Sequence, residues 1–193
     1  MLVTIKEQRS GNIFMPSFSV SDGEVAVVYL PDARDVSGEA RKMALDAILA
    51  ATDTEVKTDA PFMYVEEPHQ SLMGRLFKPV TVKDYIRKYA SPANRLAASV
   101  YDAGDVYSDD KLSSLEGPER KLVALYTALS WSNRVIIDLS GLAPEGAARV
   151  FNVVKQYAAI GGAGIVLAYH DDFRNDCTTF VPVEVKVNTL KAV

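Results

Sequence analysis

Three runs of aliphatic and β-branched residues, EVAVVYL (24–30), RVIIDL (134–139) and GIVLAYH (164–170), alternate with alanine-rich segments of helical period in a chain of 193 residues. A run without polar alternation belongs to a strand covered on both faces, and strands separated by helices pair in parallel. The pattern predicts an α/β fold: a mostly parallel sheet with helices on both faces. In such sheets ligands meet the carboxyl ends of the strands. Chemistry is therefore expected at residues 31–37, 66–68, 138–144 and 170–172.

Around that frame, LVTIK (2–6) and IFMPSFSV (13–20) read as short N-terminal strands, and Ser21-Asp22-Gly23 as a turn, an antiparallel start resembling a hairpin. SGEARKMALDAILAA (37–51) has its Ala, Met, Leu and Ile at helical spacing, and PFMYVEE (61–67) is a strand-like run that Pro68 ends. Between Pro68 and Gly117 the texture becomes helical, polar and punctuated. TVKDYIRKYA starts at a threonine cap, and Ser91-Pro92 opens a helix over ANRLAASVYDA. We expect a single domain over 1–193 with a helical subdomain inserted at about 68–116. Helices at 117–132 and 144–160 each begin with a proline in the first turn, and TTFVPVEVKV supplies edge strands, Pro182 favouring an edge.

Composition narrows the function classes. Apolar residues make up 48% and charged residues 24%, with a net charge of −4 and no basic cluster longer than two residues, so no nucleic-acid partner is expected. No apolar run approaches the roughly 20 residues that span a bilayer, and MLVTIKEQRSG lacks the apolar core of a secretory leader. A cytoplasmic location without direct membrane insertion is the expectation. One cysteine, Cys177, and two histidines, His69 and His170, offer no metal-ligand spacing, and no metal site is expected.

The stretch from Lys111 to Asp172, KLSSLEGPERKLVALYTALSWSNRVIIDLSGLAPEGAARVFNVVKQYAAIGGAGIVLAYHDD, resembles the second half of an ABC transporter ATP-binding subunit, a P-loop NTPase family. In that family a Leu-Ser-Gly-Gly-Gln/Glu signature opens a helix and an apolar strand ends in Asp-Glu-Pro. A Ser-Gly-Leu-Asp-Pro turn then opens another helix, and a later strand ends in His-Asp. Here Leu115, Glu116, Gly117, Pro118 and Glu119 stand at the signature and Asp138 ends the first strand. Ser140-Gly141-Leu142-Ala143-Pro144 stands at the turn, and His170-Asp171 ends the later strand. FSVSDGEVAVVYLPD resembles the lead-in to the family's phosphate loop, and FMYVEEP followed by VTVKDYI its Gln-loop segment, so the resemblance covers roughly residues 11–175.

The same positions depart from the family where chemistry is done. A phosphate loop needs glycines whose N–H groups converge on oxygens, a lysine and a metal-side hydroxyl. Over LPDARDVSG (30–38), Leu30, Ala33 and Asp35 stand at glycine positions and Val36 at the lysine, and Ser37 alone keeps the hydroxyl. Losing the lysine removes a charge-assisted contact of about 1.5–3 kcal/mol. A carboxylate ~5 Å from a phosphate charge, from Asp32 or Asp35, adds roughly 3 kcal/mol of repulsion at an effective dielectric near 20. Arg34 offsets part of this without providing a backbone cradle. Leu139 occupies the place of the water-activating carboxylate, in a segment shortened by two residues before Ser140. Ala143 replaces the turn's aspartate, and Glu67 stands at the Gln-loop glutamine. The stretch KEQRSG lacks the aromatic that stacks on adenine in the family. At the signature, Glu116 replaces a serine that donates to the γ-phosphate and Pro118 a glycine whose N–H faces it.

The expectation is a catalytically inactive ABC ATPase-like subunit. No catalytic residue is assigned, with Asp138, Leu139 and His170 as vestigial positions, and no cofactor is expected; ATP with Mg²⁺ belongs to the contrary case. Implied partners are an active ABC ATPase subunit, a membrane permease or a second copy, which would place the chain peripherally on the inner face of a membrane. Two alternatives stay open: an accessory half of a composite ATPase site, and a free-standing regulatory or scaffold module. Asp138 has two readings, a Mg²⁺ ligand or a cap on a neighbouring loop, and the second is favoured without a phosphate loop. His170 is favoured as a hydrogen-bonded structural residue over a catalytic remnant. His69, Gln70, Asp171 and Asp172 read as solvated loop residues, Cys177 as an unreactive thiol, and Trp131 as packing in preference to a recognition surface.

Overall fold

The computed structural model describes residues 2–31, 36–54, 61–68, 79–103 and 105–186. In chain order the elements are β1 (Val3–Ile5), β2 (Gln8–Ser10), β3 (Ile13–Met15), β4 (Phe18–Val20), β5 (Val25–Tyr29), α1 (Ser37–Thr54), β6 (Met63–Tyr64) and α2 (Val82–Tyr89). A 3₁₀ helix (Arg95–Ala103), α3 (Gly117–Leu129), β7 (Arg134–Asp138), α4 (Pro144–Ala159), β8 (Ala163–Ala168), β9 (Thr179–Pro182) and β10 (Glu184–Val185) follow.

The β-branched runs form the centre of a five-stranded sheet in the order β6-β7-β8-β5-β9, with every pairing parallel. Its two faces alternate along each strand, as the pleat requires. Val25 and Val27 of β5, Val135 and Ile137 of β7, and Val166 of β8 point into one core with α3 and α4. Ala26, Val28, Ile136, Ile165 and Leu167 point into the other with α1 and the N-terminal strands. Burying both faces is what dispenses with polar alternation in these runs.

The N-terminal strands are one hairpin. Val3 faces Val20 and Ile5 faces Phe18 in the β1–β4 pair, Gln8 faces Met15 and Ser10 faces Ile13 in the β2–β3 pair, and the register carries on unbroken between them. The run read as one strand over 13–20 is split at Pro16, which has no N–H to give to a ladder. Val3, Ile5, Phe18 and Val20 are buried on one side of the ribbon, and Ile13 and Met15, of the opposite pleat phase, on the other. The ribbon therefore turns its apolar side over at the break. β10 adds to β3, and β9 closes the parallel sheet at its edge with Pro182 as its last residue.

On the opposite flank, α2 starts at Thr81, whose hydroxyl accepts from the Asp84 N–H at 3.2 Å. The segment expected to be helical after Ser91-Pro92 is a 3₁₀ helix that begins only at Arg95. The Asn94 side chain accepts the Leu96 N–H at 2.9 Å, a local bond that competes with an α-helical start. No helix among the described residues is long and apolar enough to cross a membrane.

Candidate functional site

The carboxyl ends of β5, β6, β7 and β8 face the start of α1. Leu30, directly after β5, is fully buried and its N–H donates to Ala168 at 2.8 Å, so this residue extends the sheet instead of opening a loop. Asp32, Ala33, Arg34 and Asp35 lie outside the described residues. Val36 rests against the α1 side of the core, and its carbonyl accepts the Ala40 N–H at 2.8 Å. Ser37 begins α1.

Asp138, the last residue of β7, is 2% exposed. Its Oδ1 accepts the Ser140 N–H at 2.8 Å, and its Oδ2 accepts Nε–H of Arg41, which projects from the second turn of α1. Burial draws the guanidinium's pKa down, but the hydrogen bond and charge of Asp138 outweigh it and raise the value overall. Tyr64 of β6 lies alongside, and burial followed by the Asp138 charge raises its phenol. Next to this pair, Nζ of Lys121, a buried lysine on α3, lies 3.1 Å from Oε1 of Glu67. A cleft of about 340 Å³ is bounded by Arg41, Tyr64, Glu66, Glu67, Lys121 and Asp138. Two of its three carboxylates are thus joined to cations of the chain itself.

Leu139 is 3% exposed and its N–H donates to Leu167 at 2.9 Å. The polypeptide then turns through Gly141, at φ 80°, a left-handed conformation that glycine adopts without strain. α4 starts at Pro144 behind Ala143, which as N-cap makes no side-chain bond.

At the signature positions, Leu115 packs against the core and Glu116 is the N-cap of α3 without a side-chain capping bond. The Pro118 ring packs on Gly146 of α4, where an added Cβ would overlap it. Gly117 is similarly close, a Cβ there meeting Leu142 at 3.1 Å. Oε1 of Glu119 accepts from Arg149 at 3.2 Å, and its Oε2 is buried without a hydrogen-bond partner. These residues form the joint between α3 and α4.

The remaining positions scatter. His170 is half-buried two residues beyond β8, Asp171 and Asp172 are exposed, and His69 and Gln70 lie outside the described residues. Cys177 is half-buried, and burial pushes its thiol pKa up, away from the reactive thiolate. Trp131 departs from the expectation of packing: it is 55% exposed, its Nε1–H donating to the Tyr89 carbonyl at 2.8 Å. A tryptophan whose ring N–H needs a partner finds one at the end of α2, and the indole face is left outside. Arg41, Lys121, Tyr64 and Arg149 were not singled out from sequence. The one available signal was that Arg41 follows Ser37 by four residues, on the same helix face.

No family model and no curated protein matches this sequence. Solved structures do. A nucleotide-free ATP-binding cassette from an ABC transporter superposes at TM-score 0.62 and 17% identity, covering 94% of this chain and 87% of that one. A cassette in its ADP conformation gives 0.61 and 17%, over 93% and 85%. A dimeric bacterial ABC transporter cassette gives 0.59 and 15%, over 96% and 95%. The fold is that of an ABC transporter ATP-binding cassette.

Proposed function

We propose that this chain is a catalytically inactive ABC cassette-like subunit that acts through protein contacts in a transporter-type complex. The observation that carries the reading is Leu139. The residue after Asp138, where the resemblance requires a proton-accepting carboxylate, is a hydrocarbon packed into the core, and leucine cannot take a proton from water. Val36 in place of a lysine points the same way: its partly buried side chain packs against the apolar core. At the signature, Glu116 has no hydroxyl and Pro118 no N–H to offer a phosphate held by a second subunit.

Contact with other proteins is supported by the surface beside the cleft. A groove of about 300 Å³ runs between the segment after β6 and α2, lined by Glu66, Pro68, Val80, Tyr85, Lys88 and Leu112. The exposed Tyr89 also lines it, and the exposed Trp131 is tied to Tyr89 by its hydrogen bond. Tyrosine and tryptophan with one end apolar are the residues that anchor protein interfaces. A permease or an active ABC subunit is the proposed partner, on the cytoplasmic side of a membrane.

The test is phosphate release from ATP and Mg²⁺ by the purified chain, alone and after mixing with any intact ABC subunit that its gene neighbourhood encodes. No release by the chain alone, with co-elution of the two, is expected. Turnover by the chain alone that Asp138→Asn abolishes would overturn the reading.

A further inference from the structure

The resemblance implies a Mg²⁺ ion near Ser37 and Asp138, but the residues present do not fit one. Mg²⁺ demands near-octahedral oxygen ligands and keeps several waters. Both oxygens of Asp138 are already engaged, one by a backbone N–H and the other by a guanidinium that brings its own positive charge to the point where the ion would enter. Glu67, the second carboxylate of the cleft, is held by Lys121.

We infer that Arg41 is the resident cation of this site, an internal replacement for a metal ion. It ties the second turn of α1 to the end of β7, across 97 residues of sequence. Its direction follows from the helix, because side chains lean toward the N-terminus and a residue one turn inside α1 reaches back to the strand ends. An arginine suits the place better than a lysine, since its planar fork stays charged and matches a carboxylate. The inference rests on reading the Asp138 cleft as the position of a nucleotide site, but it makes a separate claim. While Arg41 is present, Asp138 accepts no divalent cation; without Arg41, the cleft becomes a cation site. Asp138, Glu66 and Glu67 would then face it with Lys121 as the remaining cation among the cleft's named residues.

The test uses Mn²⁺ as probe, with no nucleotide, read by the paramagnetic signal of free Mn²⁺ and by thermal unfolding. Wild type is expected to leave millimolar Mn²⁺ free and to melt at the same temperature with or without it. Arg41→Ala should melt lower, bind Mn²⁺ and recover part of the loss on binding, and Arg41→Ala with Asp138→Asn should bind none. Should Arg41→Ala fail to fold, Arg41→Gln, which keeps an N–H for Asp138 and removes only the charge, serves in its place. Mn²⁺ binding by the wild type that Asp138→Asn abolishes would overturn the inference, as would the absence of binding in the folded Arg41 variant. Neither outcome depends on ATP, so this inference and the inactive-subunit reading fail by different measurements.

Discussion

Arg41 on α1 donates Nε–H to Oδ2 of Asp138 at the end of β7, and the carboxylate so held is 2% exposed. A buried charge that loses its partner keeps its desolvation cost, so the effects of removing each member differ. Arg41→Ala strands the carboxylate and should destabilise the fold by about 3 kcal/mol. Asp138→Asn keeps an acceptor for the Ser140 N–H and leaves a guanidinium that is 40% exposed free to reach water, so it should cost less, about 1–2 kcal/mol. The double variant should be more stable than the sum of the two predicts. Urea unfolding of the three proteins measures this, and strict additivity would mean that the pair is not coupled.

Pro118 and Gly146 form the contact between the first turns of α3 and α4. A side chain at 146 must push the proline ring away, so Gly146→Val should cost about 1–3 kcal/mol. Pro118→Gly should be much less sensitive to that replacement, because the colliding ring is gone. A double-mutant cycle by chemical denaturation decides it. If valine at 146 costs the same with and without Pro118, the two helices do not meet there.

How much of this was legible in the sequence depends on the range of the interaction. β5, β7 and β8 were legible because burial on both faces writes itself as an unbroken apolar run, and α3 and α4 because a proline marks each start. The ribbon's break at Pro16 has a local cause, but the continuous register across it depends on pairing that no single segment displays. Asp138 stood out as a candidate; its partner did not. Arg41 looks like any arginine on an amphipathic helix until α1 is laid across the sheet. Lys121 is harder still, because a lysine between apolar helix residues reads as solvent-facing, whereas here it is buried against Glu67. Trp131 reads as packing because large aromatics usually pack, whereas its ring N–H meets the Tyr89 carbonyl at the protein surface.

The chain contains a single tryptophan, so its fluorescence reports Trp131 alone. With the indole 55% exposed, native emission should be red-shifted, and iodide should quench it with at least about half the efficiency seen in urea, in proportion to that exposure. Binding of a protein partner over the groove beside Tyr89 should shift the emission to the blue and protect it from iodide. Blue-shifted, unquenched emission from the isolated chain would place the indole in the core.

Burial, reinforced by the neighbouring Tyr89 and Glu66, raises the Tyr85 phenol to about 12. Its unfolded value is about 10, so between those values the unfolded chain ionises while the folded one keeps its proton. The contribution is fully present below pH ~10 and is lost as pH rises toward ~12, at up to about 1.4 kcal/mol per pH unit. Tyr85→Phe should flatten the fall in stability over that window relative to wild type. Urea midpoints between neutral and strongly alkaline pH measure the difference, and parallel curves for the two proteins would exclude Tyr85 as a source.

In the proposed reading a cassette fold is held together by its own side chains where a nucleotide and its metal would otherwise act. Isothermal titration of the wild-type chain with ATP in saturating Mg²⁺ tests it most directly. We expect no saturable heat up to millimolar ATP, and the same flat titration for Leu139→Glu, because restoring one carboxylate leaves Val36 and Arg41 in place. Saturable micromolar binding of ATP and Mg²⁺ by the wild-type chain, accompanied by turnover, would mean that the chain is a working ATPase.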